Sequence, residues 1–243
     1  MKKKLICYGT PQYENSIRSL LKSCQNFFTD FSVFGPKDID EKFYSDNIKI
    51  LSQNRGAGYW LWKPYFIKRV LENSNDGDII FYVDAGNIFL HDPSILYDKL
   101  NHDTDMIFFD NRDGMNDGNP PPNKNWTKRD AFVIMGLDND KHINSPHVNA
   151  SYQIYKKSKN SMSFVDELLF WSKNENVITD TPNLFGDNYP TFVDHRHDQS
   201  VLSLLCSKNN LSLEIDPSEW GNKCGLRNFP QLFNHHRNPH FTL

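Results

Sequence analysis

No stretch of this sequence approaches the roughly 18 to 20 apolar residues that a membrane span needs, so no transmembrane segment is expected. The basic opening Met1-Lys2-Lys3-Lys4 is followed only by Leu5-Ile6-Cys7-Tyr8 before Gly9 and Pro11 interrupt, too short for a signal-peptide core. Cysteine is scarce and unpatterned. Cys7, Cys24, Cys206 and Cys224 lack CxxC spacing and read as reduced thiols of a cytoplasmic protein. A dominant charge is missing too: 27 basic against 30 acidic residues give −3, so no global field favours nucleic acid or an acidic membrane surface. Any phosphate binding must be local. No HExxH element occurs, and there is no internal repeat or low-complexity tract.

Aromatic residues are abundant, at 14% of the chain, and can line a carbohydrate or nucleoside site, although Phe in particular is more often core. The length of 243 residues fits one α/β domain better than two independent cores.

Leu5 to Tyr8 predicts a buried strand and Gly9-Thr10-Pro11 a turn, while Ile17, Leu20, Leu21 and Cys24 recur at helical spacing between Gln12 and Phe28. Strand, small-residue turn and helix in that order open many nucleotide-binding folds. Phe31 to Phe34 reads as a second strand and Ile48 to Leu51 as another extended piece. A helix begins near Pro64 and runs to about Leu71, where the missing N–H costs least. The clearest buried strand is Asp78 to Asp84, which ends on a carboxylate. Further on, Pro93 to Leu100 predicts a short helix, Met106 to Phe109 and Ala131 to Met135 predict strands, and Ala150 to Tyr155 an extended or turn-rich piece. Ser161 to Trp171 and Gln199 to Cys206 read as helices, and 220–243 as an ordered coil wrapping the domain. Between Asp110 and Lys124 the density of Asn, Asp, Gly and Pro gives a loop, either a mobile lid on the acceptor side or an inert surface excursion.

Four clusters carry candidate chemistry. In open α/β sheets ligands bind beyond the carboxyl ends of strands, where Asp84 could hold a divalent ion or a ribose hydroxyl and Gly86 leaves room for phosphate. Before it, Arg55-Gly56-Ala57-Gly58-Tyr59-Trp60-Leu61-Trp62-Lys63 offers cationic and backbone donors for a diphosphate, with rings for stacking; aromatics that only anchor a helix are the plain structural alternative. Asp194-His195-Arg196-His197-Asp198-Gln199-Ser200 places ionisable groups just before an apolar helix. Capping explains Asp198 alone, but not its company. Last, Asn234-His235-His236-Arg237 offers imidazoles for an ion or simply a solvated tail.

Taken in order, Arg-Gly-x-Gly-Tyr-Trp-x-Trp-Lys-Pro (Arg55 to Pro64), Tyr-Val-Asp-Ala-Gly (Tyr82 to Gly86) and His-Arg-His-Asp-Gln-Ser (His195 to Ser200) resemble bacterial and viral GT-A glycosyltransferases of polysaccharide or glycan biosynthesis. More distantly, the layout is similar to the retaining galactosyl- and glucosyltransferases that include the glycogenin-like enzymes. The resemblance implies an α/β GT-A (Rossmann-like) mixed sheet flanked by helices in a single domain, with 1–110 the nucleotide-binding half and 111–243 the acceptor-side half and tail. It implies a hexosyltransferase-type activity, moving a sugar from a nucleotide-diphosphate sugar to a hydroxyl of a glycan, lipid-linked or protein-linked acceptor. Asp198 and Asp84 would be catalytic. Tyr8, Gly9, Thr10, Arg55, Tyr59, Lys63, Asp84, Gly86, Asn149 and Gln199 would bind the donor. Asp84, His235 and His236 would hold Mn²⁺ or Mg²⁺, although Gly86 stands where the family's Asp-x-Asp motif has its second aspartate. Asp198 would orient the donor sugar, stabilise positive charge on it, or act as general base toward the acceptor. An inactive nucleotide-sugar or carbohydrate-binding module of the same fold and a metal-dependent hydrolase using a His195-x-His197 pair are the alternatives.

Overall fold

The computed structural model describes residues 1–101, 104–112, 119–225 and 227–243, at positions 223 and 224 by backbone alone. Its strands are β1 (Lys3–Tyr8), β2 (Asp30–Phe34), β3 (Ile79–Val83), β4 (Asn87–Phe89), β5 (Met106–Asp110), β6 (Val148–Lys156), β7 (Leu213–Glu214) and β8 (Phe233–His235). Six of them form a mixed sheet in the order β2-β1-β3-β6-β5-β7, and β4 pairs antiparallel with β8 in a separate ribbon. β1 runs parallel to both β2 and β3, whereas β6 returns antiparallel between β3 and β5. The principal helices are α1 (Glu14–Cys24), α2 (Trp62–Glu72), α3 (Lys159–Ser172) and α4 (Asp198–Lys208).

Side chains alternate across the sheet with period two. Leu5, Cys7, Ile79, Phe81 and Val83 face one side and pack with Leu20 and Cys24 of α1 and with Phe233. Ile6, Tyr8, Ile80 and Tyr82 face the other, against Phe66 and Ile67 of α2, Phe164 and Val165 of α3, and Val201 and Leu202 of α4. Each fully buried Leu, Ile or Phe contributes about 1.5–3 kcal/mol of transfer free energy, so one residue of slip in β3 would turn this apolar set to the wrong face. The same alternation carries Asp84 to the α2 side, in step with Ile80 and Tyr82. Its N–H donates to Ser151 O at 3.0 Å, extending the β3–β6 pairing by one residue.

Two expectations fail on short apolar runs. Ala131 to Met135, expected as a strand, lies largely within the helix Arg129–Ile134, and Ile48–Leu51, expected to be extended, is a helical turn. Such runs are equally compatible with a buried strand and a buried helix, and the decision falls to tertiary contacts: Ala131 and Phe132 are fully buried in the core shared with α3 and α4. The 220–243 segment is not coil throughout, because β8 brings it back beside β4. Of the loop expected between Asp110 and Lys124, positions 113–118 lie outside the described residues, and Asn123–Trp126 is a helical turn. Cys7, Cys24 and Cys206 are buried free thiols, whereas the side chain of Cys224 lies outside those described. Among the described residues no helix is long and apolar enough to cross a membrane.

Candidate active site

The site is built where β1 and β3 end. Between residues 56 and 60 the backbone turns through left-handed conformations, with φ of +57° at Gly56, +97° at Gly58 and +59° at Trp60. At Gly56 a Cβ would fall 2.3 Å from the Trp60 ring, and at Gly58 2.8 Å from Leu51 Cα, so both positions exclude any side chain. The coil is pinned by Trp62, whose Nε1–H donates to Gly56 O at 2.9 Å and whose ring stacks on Tyr8 with centroids 3.8 Å apart. α2 starts at Trp62, and Pro64 falls in its first turn, where backbone N–H groups have no intrahelical partner. Lys63 is thereby directed inward.

Lys63 is only 3% exposed, and its ammonium lies 2.6 Å from Asp198 Oδ2 and 3.3 Å from Asp84 Oδ1. It also donates to Ala150 O at 3.2 Å and stands over the Tyr82 ring. Burial is the largest influence on this lysine and pulls it down, but Asp198 and Asp84 together overcome it and leave the group above its ordinary value. Asp198 is pushed up to about 6, first by burial and then by the like charge of Asp84, against the pull of Lys63. Burial, followed by the Asp84 charge, holds the Tyr82 hydroxyl well above its usual range, and it donates to Asp84 Oδ1 at 2.5 Å. Asp198 is the first residue of α4 and not its cap: His197 occupies the cap position, and the carboxylate is turned to Lys63. The positive end of the α4 dipole adds to its stabilisation as an anion.

Two cavities meet here. A cleft of about 390 Å³ is lined by Tyr8, Gly9, Thr10, Trp60, Trp62, Asp84, Gly86, Ser151, His235 and Arg237, among others. A chamber of about 140 Å³ is lined by Arg55, Trp60, Lys63, Asp84, Ser151, His197, Asp198 and Gln199, among others. Trp60, Asp84 and Ser151 belong to both. Within the cleft wall, Thr10 Oγ1 is buried without a hydrogen-bond partner among the described residues.

Several expected site residues are placed differently. The Arg55 guanidinium is paired with Asp180 at 2.9 Å and Asp194 at 3.2 Å, so it ties down the 180–194 segment rather than facing the larger cleft. Tyr59 lines neither cavity; its hydroxyl donates to Asp180 at 3.1 Å. Asn149 is a buried residue of β6, and its amide is spent on Asp216 at 2.8 Å and on the Ser151 N–H at 2.9 Å. His195 has both ring nitrogens engaged, Nδ1 by the Lys128 N–H and Nε2 by Val177 O, which removes the His195-x-His197 ligand pair.

The metal set Asp84, His235 and His236 is not assembled either. His236 stacks on Phe241 at 4.1 Å and lines neither cavity. His235 borders the cleft, but its ring lies 2.7 Å from the Tyr152 hydroxyl and 3.2 Å from Glu219. Asp84 is already held by Tyr82 and Lys63. Among the described residues no group of three or more His, Cys, Asp or Glu is arranged to hold a metal ion. At position 86, where a second aspartate would stand, the glycine faces the backbone of Arg237, and its carbonyl accepts from the N–H groups of His236 at 3.0 Å and Arg237 at 3.3 Å. These residues do not fit an Mn²⁺ or Mg²⁺ site. Sequence reasoning left Ser151 out of the site residues and gave His197 no part in donor binding; a serine inside an extended run carries no local signal.

Compared by sequence, no family model and no curated protein matches the chain. Solved structures do. A glycosyltransferase involved in glycosylation of the major capsid of PBCV-1 is 8% identical, with 97% of this chain and 93% of that one covered and a TM-score of 0.52. Mouse xyloside xylosyltransferase 1 is 8% identical, with 97% of each chain covered and a TM-score of 0.50. The glycosyltransferase GlyE of Streptococcus pneumoniae TIGR4 is 14% identical, with all of this chain and 57% of that one covered and a TM-score of 0.50. This chain spans little more than half the length of GlyE and 37% of the bifunctional WbbM glycosyltransferase. At such identities the likeness is one of fold. The fold is GT-A, as the motifs from Arg55 to Ser200 imply.

Proposed function

We propose that this protein is a glycosyltransferase that moves a sugar, of hexose type, from a nucleotide-diphosphate donor to a hydroxyl of a glycan, lipid-linked or protein-linked acceptor in cytoplasmic glycan or polysaccharide synthesis. One observation carries the proposal: in a GT-A fold, Lys63, Asp84 and Asp198 converge within 3.3 Å at the junction of two cavities beyond the ends of β1 and β3. The larger cleft suits the nucleoside diphosphate. There the stacked Tyr8 and Trp62 form an aromatic wall, Thr10 offers an unpaired hydroxyl, and Gly9 and Gly86 complete the lining. The smaller chamber suits the sugar, with Asp198 and Gln199 in its lining. The division into a nucleotide-binding half, 1–110, and an acceptor-side half, 111–243, belongs to the same proposal, with Ser151, His235 and Arg237 joining the first half's cleft.

Breaking the sugar–phosphate bond develops positive charge at the anomeric carbon and returns negative charge to the diphosphate, so the site must stabilise both. Arg237, an exposed residue of the cleft lining without a carboxylate partner among the described residues, supplies the counter-charge on the diphosphate side, together with Lys63 of the adjoining chamber. Asp198 is ionised above about pH 6 and serves the anomeric carbon, by stabilising its charge or by accepting the proton of the incoming hydroxyl. Because the side chains do not make a metal site, no step is assigned to an ion.

A panel of nucleotide-sugars, each with and without Mn²⁺, tests the proposal by thermal stabilisation, since a ligand bound only to the folded state raises its apparent stability by mass action. Stabilisation by one donor class, followed by sugar transfer in its presence, is expected. If no member of the panel shifts the melting temperature, the proposal is wrong.

A further inference from the structure

Ser151 stands on β6 directly across from Asp84. The β3–β6 register pairs Tyr82 with Gln153 and Val83 with Tyr152, and one step further on the Asp84 N–H donates to Ser151 O at 3.0 Å. Residues opposed in this way put their side chains on one face of the sheet, with Cβ atoms about 4.5–5.5 Å apart. For Ser151 that is the face of Tyr82 and Asp84, toward α2. Its backbone is fixed from both sides, since its own N–H donates to Asn149 Oδ1 at 2.9 Å. The hydroxyl of this half-buried residue has no hydrogen-bond partner among the described residues.

Ser151, Asp84 and Trp60 are the lining residues common to the cleft and the chamber. A nucleotide-sugar with its diphosphate in one and its sugar in the other must run past them, and the bond that joins its two halves is the bond that breaks. The oxygen left on the terminal phosphate then gains negative charge and calls for a hydrogen-bond donor already in position. Trp60 brings a ring stacked on His197, and Asp84 a carboxylate. Lys63, the buried cation of the chamber, has nothing left to donate, because the three protons of its ammonium go to Asp198, Asp84 and Ala150 O. Of the three shared residues only Ser151 carries a hydroxyl.

We propose that the Ser151 hydroxyl is a further catalytic group, donating a hydrogen bond to the phosphate oxygen that departs from the anomeric carbon. The inference rests on the glycosyltransferase reading and deepens it, by naming the group that meets the leaving oxygen. In the step, the bond between the anomeric carbon and that oxygen breaks, and its electron pair stays with the phosphate. The acceptor hydroxyl closes the new bond to the same carbon and yields its proton to Asp198 or to the departing diphosphate. Ser151 keeps its own proton throughout. Its hydrogen bond strengthens as the charge grows, because an ionised acceptor holds an O–H roughly twice as strongly as a neutral one. The contact therefore favours the transition state over the bound nucleotide-sugar.

Ser151→Ala removes the hydroxyl, and Ser151→Cys keeps its shape with a weaker donor. Affinity is measured for the nucleotide-sugar that best stabilises the wild-type protein, for its nucleoside diphosphate and for its nucleoside monophosphate, with single-turnover transfer beside them. In Ser151→Ala the nucleoside diphosphate, whose terminal oxygen is free and charged, is expected to bind about tenfold more weakly. The nucleotide-sugar, in which that oxygen is esterified, holds within about twofold, and the monophosphate, which lacks it, is unchanged. The transfer rate falls by about 10- to 100-fold, and by less in Ser151→Cys. Should Ser151→Ala fail to fold, Ser151→Cys carries the same comparisons. Transfer at the wild-type rate in a folded Ser151→Ala, or an equal loss of affinity for all three ligands, would overturn the inference and leave the glycosyltransferase reading in place. A wild-type protein that binds no nucleotide-sugar would remove that reading, and this inference with it.

Discussion

The ammonium of Lys63 lies 2.6 Å from Oδ2 of Asp198, both side chains withdrawn from solvent, and Asp84 approaches the same ammonium from β3 at 3.3 Å. One buried cation thus joins the first turn of α2, the end of the central parallel strand and the first turn of α4. Removing one partner of such a group leaves an uncompensated charge, a cost of about 3–5 kcal/mol.

Lys63→Met is accordingly expected to lower stability by about that amount and to push the Asp198 pKa further up, since its favourable neighbour is gone while Asp84 stays. Denaturant unfolding gives the first quantity and a pH titration of transfer the second. A variant as stable as the wild type would mean that the three groups are not coupled as their distances indicate.

Asp198→Asn should keep the shape of the chamber and remove the charge. Transfer is expected to fall by at least about 100-fold with donor affinity within a few-fold, because the loss is felt in the transition state and not in the ground state. Single-turnover kinetics beside equilibrium binding separates the two effects, and an unchanged rate would reduce Asp198 to a partner of Lys63.

The pH dependence has opposite signs for activity and stability. The folded pKa of Asp198, about 6, lies above the ordinary carboxylate value near 3.9, so the folded state binds this proton more tightly. Its contribution to stability is fully present below the unfolded pKa and is lost as pH rises through about 6. Transfer, which needs the carboxylate, should instead rise through the same window. A rate profile flat between pH 5 and pH 7 would contradict the role given to Asp198.

Arg237→Gln should weaken donor binding by about 10- to 100-fold, the loss of a charge-assisted contact, and should flatten its dependence on salt. Arg55→Gln is the contrast: its partners are Asp180 and Asp194, so the 180–194 segment loosens while affinity for the nucleoside diphosphate holds. Equal losses in both variants would show that Arg55 reaches the diphosphate after all.

Gly86→Asp restores the spacing of an Asp-x-Asp motif. A Cβ at position 86 would meet only Arg237 backbone atoms, at 3.5 Å and 3.7 Å, an ordinary contact, so the variant is expected to fold. Mn²⁺ should raise its melting temperature and leave that of the wild type unmoved, the wild-type donor set being incomplete. A wild-type shift with Mn²⁺ alone would restore the ion to this site.

Much of the fold was legible because its signals are local. A run such as Ile79–Val83 has no polar residue to expose, α1 repeats at helical spacing, and Pro64 marks a helix start. Alternation even fixed the face to which Asp84 belongs. The motif residues Asp84, Lys63, Asp198 and Gln199 stood out as charged or polar groups in places where a plain core has no use for them, and they line one chamber. Arg55, Asn149, His195 and His236 carried the same composition signal, and the structure spends them on internal partners. Nothing in their immediate neighbours distinguishes the two groups.

The amino-acid order alone thus determined most strands and helices, though not short apolar runs such as Ile48–Leu51, and which carboxylates stand at their ends, since backbone preference and hydrophobic period act over a few residues. Only the tertiary structure decided which of those groups share a cavity. It set Lys63 between two acids, turned Gly86 against the backbone of Arg237, and tied Arg55 to Asp180 and Asp194, because such pairings depend on how distant segments cross and are written in no single one of them.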